Sequence, residues 1–168
     1  RGTAYHRLME RLDYTAVDSE NQIHKQITAL TEAKKMAYEE AQCIRIQDIM
    51  TFLHSEIGQR MKKAFEENQL YREQPFVLAQ SMKNIEKDWN GEETVLVQGI
   101  IDAYFIEDEE IVLVDYKTDR VRKGEEQHLI DLYHTQLEDY AQALERMLQK
   151  KVKETYIYSF ALGKMIPV

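Results

Sequence analysis

The chain has 168 residues, 43% of them hydrophobic, enough for one domain with a substantial core. Its formal net charge of −8 counts against a free-standing nucleic-acid binder, which draws most of its affinity from neutralising phosphates; it leaves open an enzyme whose metal ions offset its acids, or one fed by a larger machine. The single cysteine, Cys43, excludes a disulfide framework or a four-cysteine metal or iron–sulfur site within the chain, and no apolar run approaches the ~20 residues of a membrane helix.

With no signal peptide visible, the cytoplasm is the expected compartment. The chain starts at Arg1-Gly2-Thr3 without a methionine and stops at Ile166-Pro167-Val168 after an apparent strand, so a single domain spanning 1–168, cut from a longer polypeptide, is expected.

A first helix is predicted from Ala4 to Leu12, with Thr3 as its N-cap and Tyr5, Leu8, Met9 and Leu12 as its apolar stripe. His6 lies on the flank of that stripe, where a lone histidine ordinarily serves as a boundary residue. Residues 14–69 read as a helical subdomain covering the core. Within it, Asn21–Leu30 and Thr31–Gln42 lack Gly and Pro and form a solvated helical face. The apolar pattern from Ile44 to Phe65 predicts two helices meeting near His54-Ser55, with Ser55 capping the second, Gly58 marking close packing, and Arg60, Lys62 and Lys63 forming a small basic face.

Leu70–Gln80 changes character: Pro75 argues against a helix interior and Phe76-Val77-Leu78 is strand-like. Glu73 inside it is either an exposed edge-strand glutamate or a third acid for a site. Ser81–Glu93 is a polar excursion with a turn at Trp89-Asn90-Gly91.

Val95–Ile106 and Ile111–Tyr116 then read as two apolar strands joined by the acidic turn Glu107-Asp108-Glu109-Glu110. Each carries one carboxylate in a run that otherwise asks to be buried, Asp102 and Asp115. Lys117 lies two residues past Asp115, on the same side of an extended backbone. Such acids are often turn residues, edge charges or halves of salt bridges. Two of them with a lysine at the end of a hairpin are costly to desolvate unless a cation sits among them, so a divalent metal site is the competing reading.

After Lys117, the residues Arg120, Arg122 and Lys123 set a basic loop against the single acid Asp119, a place for a phosphate backbone to pass or simply a solvated loop. Glu125–Lys150 is predicted as a long helix with a stripe at Leu129, Tyr133, Leu137, Tyr140, Ala141, Leu144 and Leu148; Gln136 and Tyr140 share a face one turn apart. Thr155–Leu162 closes the chain as another strand, with Gly163 as its turn. The order predicts an α/β or α+β domain: a mixed central sheet flanked by helices, with the helical insertion near the N-terminus.

Four segments in this order, Gly2-Thr3-Ala4-Tyr5-His6-Arg7, Gly99-Ile100-Ile101-Asp102, Asp115-Tyr116-Lys117-Thr118 and Gln136-Leu137-Glu138-Asp139-Tyr140, resemble the RecB-like nuclease domain of the PD-(D/E)XK group. The nearest pattern is that of the C-terminal nuclease domain in AddA-type helicase–nuclease subunits. The resemblance runs from Gly2 to about Leu162. It implies a restriction-endonuclease-like fold and an exodeoxyribonuclease that processes double-strand DNA ends for recombinational repair, fed single strands by a helicase motor on its own chain and working beside a second helicase–nuclease subunit.

By position, the resemblance implies that His6, Asp102 and Asp115 bind Mg²⁺ with the backbone carbonyl of Tyr116, with Glu73 as an additional acid and Mn²⁺ able to substitute. Asp102, Asp115 and Lys117 would be catalytic, with Gln136 and Tyr140 lining the active site and contacting DNA alongside Arg120, Arg122 and Lys123. Ile101 replaces the proline of the group's name, and the iron–sulfur cysteines of some relatives are absent. The alternative is a nuclease fold kept only for docking or strand guidance.

Overall fold

The structure is a computed structural model that describes residues 2–168. Its elements run α1 (Gly2–Arg11), α2 (Glu20–Glu32), α3 (Tyr38–Ala41), α4 (Ile46–His54), α5 (Glu56–Glu66), β1 (Leu70–Ser81), α6 (Met82–Ile85), β2 (Thr94–Glu107), β3 (Glu110–Lys117), α7 (Glu126–Leu148), β4 (Val152–Ser159) and β5 (Lys164–Pro167). They build one five-stranded mixed sheet in the order β1-β2-β3-β4-β5. Only β3 and β4 are parallel, because α7 carries the chain back between them; the other neighbours are antiparallel. This is the mixed, helix-flanked sheet that the sequence predicts. The chain's two prolines, Pro75 and Pro167, lie on β1 and β5, the outer strands, where a missing N–H costs no ladder bond.

Each face of the sheet buries its own core. On one side Tyr5, Leu8, Met9, Phe52, Leu53, Ile57 and Met61 of the N-terminal helices pack on Ala103, Phe105, Val112, Val114, Tyr116 and Tyr158. On the other, Leu129, Leu137, Tyr140 and Leu144 of α7 pack on Phe76, Leu78, Ile101, Leu113 and Ile157. Burying one such large side chain contributes about 1.5–3 kcal/mol before entropy is counted.

Strict alternation along β2 would put Ile101 and Ala103 in the same core, yet they lie in different ones. The switch occurs at the level of Asp102, opposite which Glu73 of β1 has φ 51°, a left-handed conformation that breaks the pleat of the neighbouring strand.

Several local expectations are corrected. Thr3 lies inside α1, which begins at Gly2, so it is not the cap, and the helix ends at Arg11. Thr31–Gln42 is not a helix. α2 stops at Glu32, Lys34 turns left-handed at φ 54°, and only the single turn of α3 follows; propensity without an apolar stripe does not carry a helix. The last predicted strand shifts N-terminally to Val152–Ser159, because it pairs along β3, and Phe160–Gly163 form the turn into β5. The excursion after β1 contains the short α6.

The junction at His54-Ser55 stands as predicted: Ser55 Oγ accepts the Gly58 N–H at 3.1 Å, and a Cβ on Gly58 would lie 2.0 Å from the Phe52 carbonyl oxygen. Arg60, however, is not part of a free basic face. It donates to Glu107 at 3.1 and 2.8 Å and to Glu154, tying α5 to the β2–β3 turn and to β4. Lys62 and Lys63 pair with Asp18 and Glu67.

Candidate active site

The β2–β3 ladder runs from Glu107↔Glu110 to Ala103↔Val114, and the next level is Asp102 beside Asp115. There the side chain takes over from the ladder: Asp102 Oδ2 accepts the Tyr116 backbone N–H at 2.9 Å. The Tyr116 ring is anchored in the N-terminal core by edge contacts with Phe52, at 6.0 Å between centroids, and by Phe160. Core packing thus fixes the peptide that orients Asp102.

α1 brings the histidine. Its stripe is fully buried, and the Arg72 guanidinium of β1 donates to the carbonyls of Met9 and Leu12 at 3.1 and 2.8 Å, locking the end of the helix to the sheet. His6 Nδ1 lies 2.8 Å from the Gly2 carbonyl, which sets the ring so that Nε2 faces Asp102 Oδ2 at 3.0 Å. The hydrogen bond with Asp102, opposed by burial, pushes the imidazole up to about 9. Burial works against the Asp102 carboxylate, but the His6 contacts and the Tyr116 N–H outweigh it and hold the group below the usual range.

Asp115 is 3% exposed. Burial first, and then the charge of Asp102, push its carboxyl up to about 7. Lys117 Nζ lies 2.8 Å from Asp115 Oδ2, an ion pair between two largely buried side chains. The two neighbouring carboxylates are each held by one cation, Asp102 by His6 and Asp115 by Lys117. The groups able to hold a cation are these two carboxylates, the Nε2 of His6 and the Tyr116 carbonyl, a mostly oxygen set that fits Mg²⁺ or Mn²⁺ completed by water. Among the described residues no three His, Cys, Asp or Glu side chains surround a common point, and His6 and Lys117 are closed onto the carboxylate oxygens. An ion must compete with these two cations.

α7 supplies the far wall. Gln136 Oε1 lies 3.4 Å from Lys117 Nζ. Tyr140 is 8% exposed and meets Phe76 edge-on at 5.2 Å, a contact permitted by Gly99, where a Cβ would lie 3.0 Å from the Phe76 ring. Arg120, Arg122 and Lys123 are carried on the β3–α7 loop, which is pinned by Asp119 and by Val121 in the α7 core. Glu73 stands at the Asp102 level of the β1–β2 pair, and burial, then the charges of Glu10 and Asp102, raise its carboxyl.

Two neighbours went unassigned in the sequence. Glu10 sits one helical turn from His6 and adds its charge beside Glu73. Tyr133, assigned only to the core stripe, has its ring 3.8 Å from Lys117 Nζ, and its hydroxyl donates to Asp119 at 2.9 Å. The i, i+3 spacing from Tyr133 to Gln136 was the available signal.

The family model described as the PD-(D/E)XK nuclease superfamily matches residues 1–164. The chain belongs to this superfamily. It is 42% identical over 162 residues to an ATP-dependent helicase/nuclease subunit of Alkaliphilus metalliredigens, covering 95% of this chain and 13% of that protein. It is 36% identical over its full length to the subunit of the same name in Clostridium perfringens, 14% of that protein. For the like-named protein of Syntrophomonas wolfei the identity is 34%, again over the whole chain and 13% of the relative. The chain thus spans about an eighth of the curated relatives it matches. The superfamily's usual divalent metal agrees with the donor set. Among the described residues no helix is long and apolar enough to cross a membrane.

Proposed function

We propose that this chain is the metal-dependent DNA nuclease domain of a longer cytoplasmic helicase–nuclease polypeptide, an exodeoxyribonuclease that hydrolyses strands delivered by the motor while double-strand ends are processed for recombinational repair. A second helicase–nuclease subunit is its partner. The observation that carries the reading is the pairing of Asp102 with the nearly buried Asp115 beside Lys117. The names of the relatives, helicase/nuclease proteins that this chain covers only in part, support the setting.

Asp102 and Asp115 would hold Mg²⁺ with the Tyr116 carbonyl and with His6, whose Nδ1 stays on the Gly2 carbonyl while Nε2 gives up its contact with Asp102 to ligate. The bound ion supplies a water of lowered pKa and neutralises charge on the phosphate. Lys117, held by Asp115 and Gln136, directs its ammonium at the attacking water or the phosphoryl oxygens. Gln136 and Tyr140 orient the strand, while Arg120, Arg122 and Lys123 take phosphates on the approach. A module kept only for docking has no use for two acids held this close to each other and to a lysine.

The test is digestion of single- and double-stranded DNA with Mg²⁺ by the wild-type chain and by Asp115→Ala and Lys117→Ala. Each variant should lose about 10²–10³ in rate or more. Wild-type rates in both variants refute the assignment.

A further inference from the structure

We infer that Tyr133 is a positioning residue for the nuclease reaction: the face of its ring holds the Lys117 ammonium at the angle from which it acts. The inference rests on the role proposed above for Lys117 and names a device that this role needs.

A lysine has a flexible four-carbon stem and a freely rotating ammonium, so a fixed direction must come from its surroundings. The Lys117 side chain is 15% exposed, with Asp115, Gln136 and Tyr133 around its ammonium. Asp115 Oδ2 lies at 2.8 Å, Gln136 Oε1 at 3.4 Å, and the Tyr133 ring centroid at 3.8 Å, well inside the ~6 Å range over which a cation is drawn to an aromatic face. The glutamine contact is long, and one ion pair on a freely rotating ammonium does not by itself fix where its other hydrogens point. The ring supplies the third wall. It also excludes water from that side of the ammonium, and the attraction is strongest when desolvated.

The ring is itself held. Its hydroxyl donates to Asp119 Oδ1 at 2.9 Å, and Asp119 lies two residues beyond Lys117 on the same chain segment. Tyr133 therefore braces the end of β3 at two points of its side chain, by ring to the lysine and by hydroxyl to the loop. A ring that merely filled the α7 core would need neither contact. Because the π face does the holding, phenylalanine can replace tyrosine here and leucine cannot.

The experiment measures kcat and KM for single-stranded DNA in Mg²⁺ with the full-length chain and its partner subunit, comparing wild type, Tyr133→Phe, Tyr133→Leu, Lys117→Ala and the Tyr133→Leu/Lys117→Ala double variant. Melting curves confirm that each variant is folded. Tyr133→Leu should lower kcat by about tenfold with KM changed by less than about twofold, and Tyr133→Phe should keep kcat within about threefold of wild type. In the double variant the leucine should add nothing to the loss from Lys117→Ala, as expected for residues acting as a unit.

If Lys117→Ala cleaves as fast as wild type, the nuclease role of Lys117 fails and this inference falls with it. If Lys117→Ala is inactive while Tyr133→Leu keeps the wild-type kcat, only the inference is overturned. It is equally overturned if Tyr133→Phe loses as much kcat as Tyr133→Leu, since the ring face would then not be what matters, or if Tyr133→Leu changes KM alone.

Discussion

Replacing Gly58 by alanine should unfold this domain at a lower temperature, against the usual rule that Gly→Ala in a helix gains about 1 kcal/mol. Gly58 is in the first turn of α5, where its N–H donates to the Ser55 cap. A Cβ built there lies 2.0 Å from the Phe52 carbonyl oxygen and 2.9 Å from its carbon, both backbone atoms that no rotamer change can move aside. Reaching ordinary contact at 3.4 Å requires α4 and α5 to separate by about 1.4 Å, the difference between the two distances.

That movement pulls on Phe52, whose ring packs on Tyr116 and Tyr158 at 6.0 and 4.9 Å. Overpacking of this kind costs about 1–3 kcal/mol, and backbone contact puts the expected net loss at about 2 kcal/mol. For a chain of this size that is about 4–8 °C in melting temperature. Thermal unfolding followed by circular dichroism reads it, with the urea midpoint as a second measure. An unchanged or raised melting temperature would refute the close approach of the two helices. Because Phe52 supports the peptide that orients Asp102, nuclease activity should also fall below what the loss of folded protein explains.

The Asp108-Glu109 turn has both residues at positive φ, 52° and 64°, the signature of a two-residue primed hairpin turn that favours Asn-Gly. Asp108→Asn with Glu109→Gly should raise the melting temperature by about 2–4 °C, since the exposed Glu109–Lys150 and Asp108–Lys153 pairs it removes contribute little; a lower value on calorimetry counts against the turn. Hydrogen bonding from Arg60 holds the Glu107 carboxyl down at about 2. A depressed carboxylate stabilises the fold above its ordinary value of 4.5 and loses that contribution as pH falls through about 2, so the stability gap between wild type and Arg60→Met should shrink over that range; a gap constant in urea titrations from neutral to acid would exclude the linkage. Mg²⁺ or Mn²⁺ at a hundredfold excess over its Kd should stabilise by about 2.7 kcal/mol, seen as a rise of about 5–10 °C in melting temperature that Asp115→Ala abolishes. A rise that survives in the variant would place the ion elsewhere.

Much of the scaffold was legible because burial stamps a period on the sequence. The runs on either side of Glu107–Glu110 could only be strands, and the stripe from Leu129 to Leu148 could only be a helix of this length. Ser55 and Gly58 announced their junction through cap chemistry and lack of a side chain. Failures came where local propensity had no tertiary partner: Thr31–Gln42 has the composition of a helix, but the chain turns at Lys34 because only Met36 of the segment that follows finds a buried place there. Arg60 read as surface because its acids, Glu107 and Glu154, are far along the chain.

The order of four short motifs sufficed to name the superfamily, and two apolar runs joined by an acidic turn sufficed to put Asp102 and Asp115 near the end of one hairpin. Whether their carboxyls meet was decided by the fold. It depends on a strand register, on the left-handed Glu73 where the faces exchange, and on α1 being locked by Arg72 so that His6 reaches across. The same holds for Tyr133, whose ring meets Lys117 only because α7 lies against the end of β3. A sequence records which side chains need burial or a cap, since those demands are local; the distance between charges brought together from far along the chain is set by the packing of every element between them.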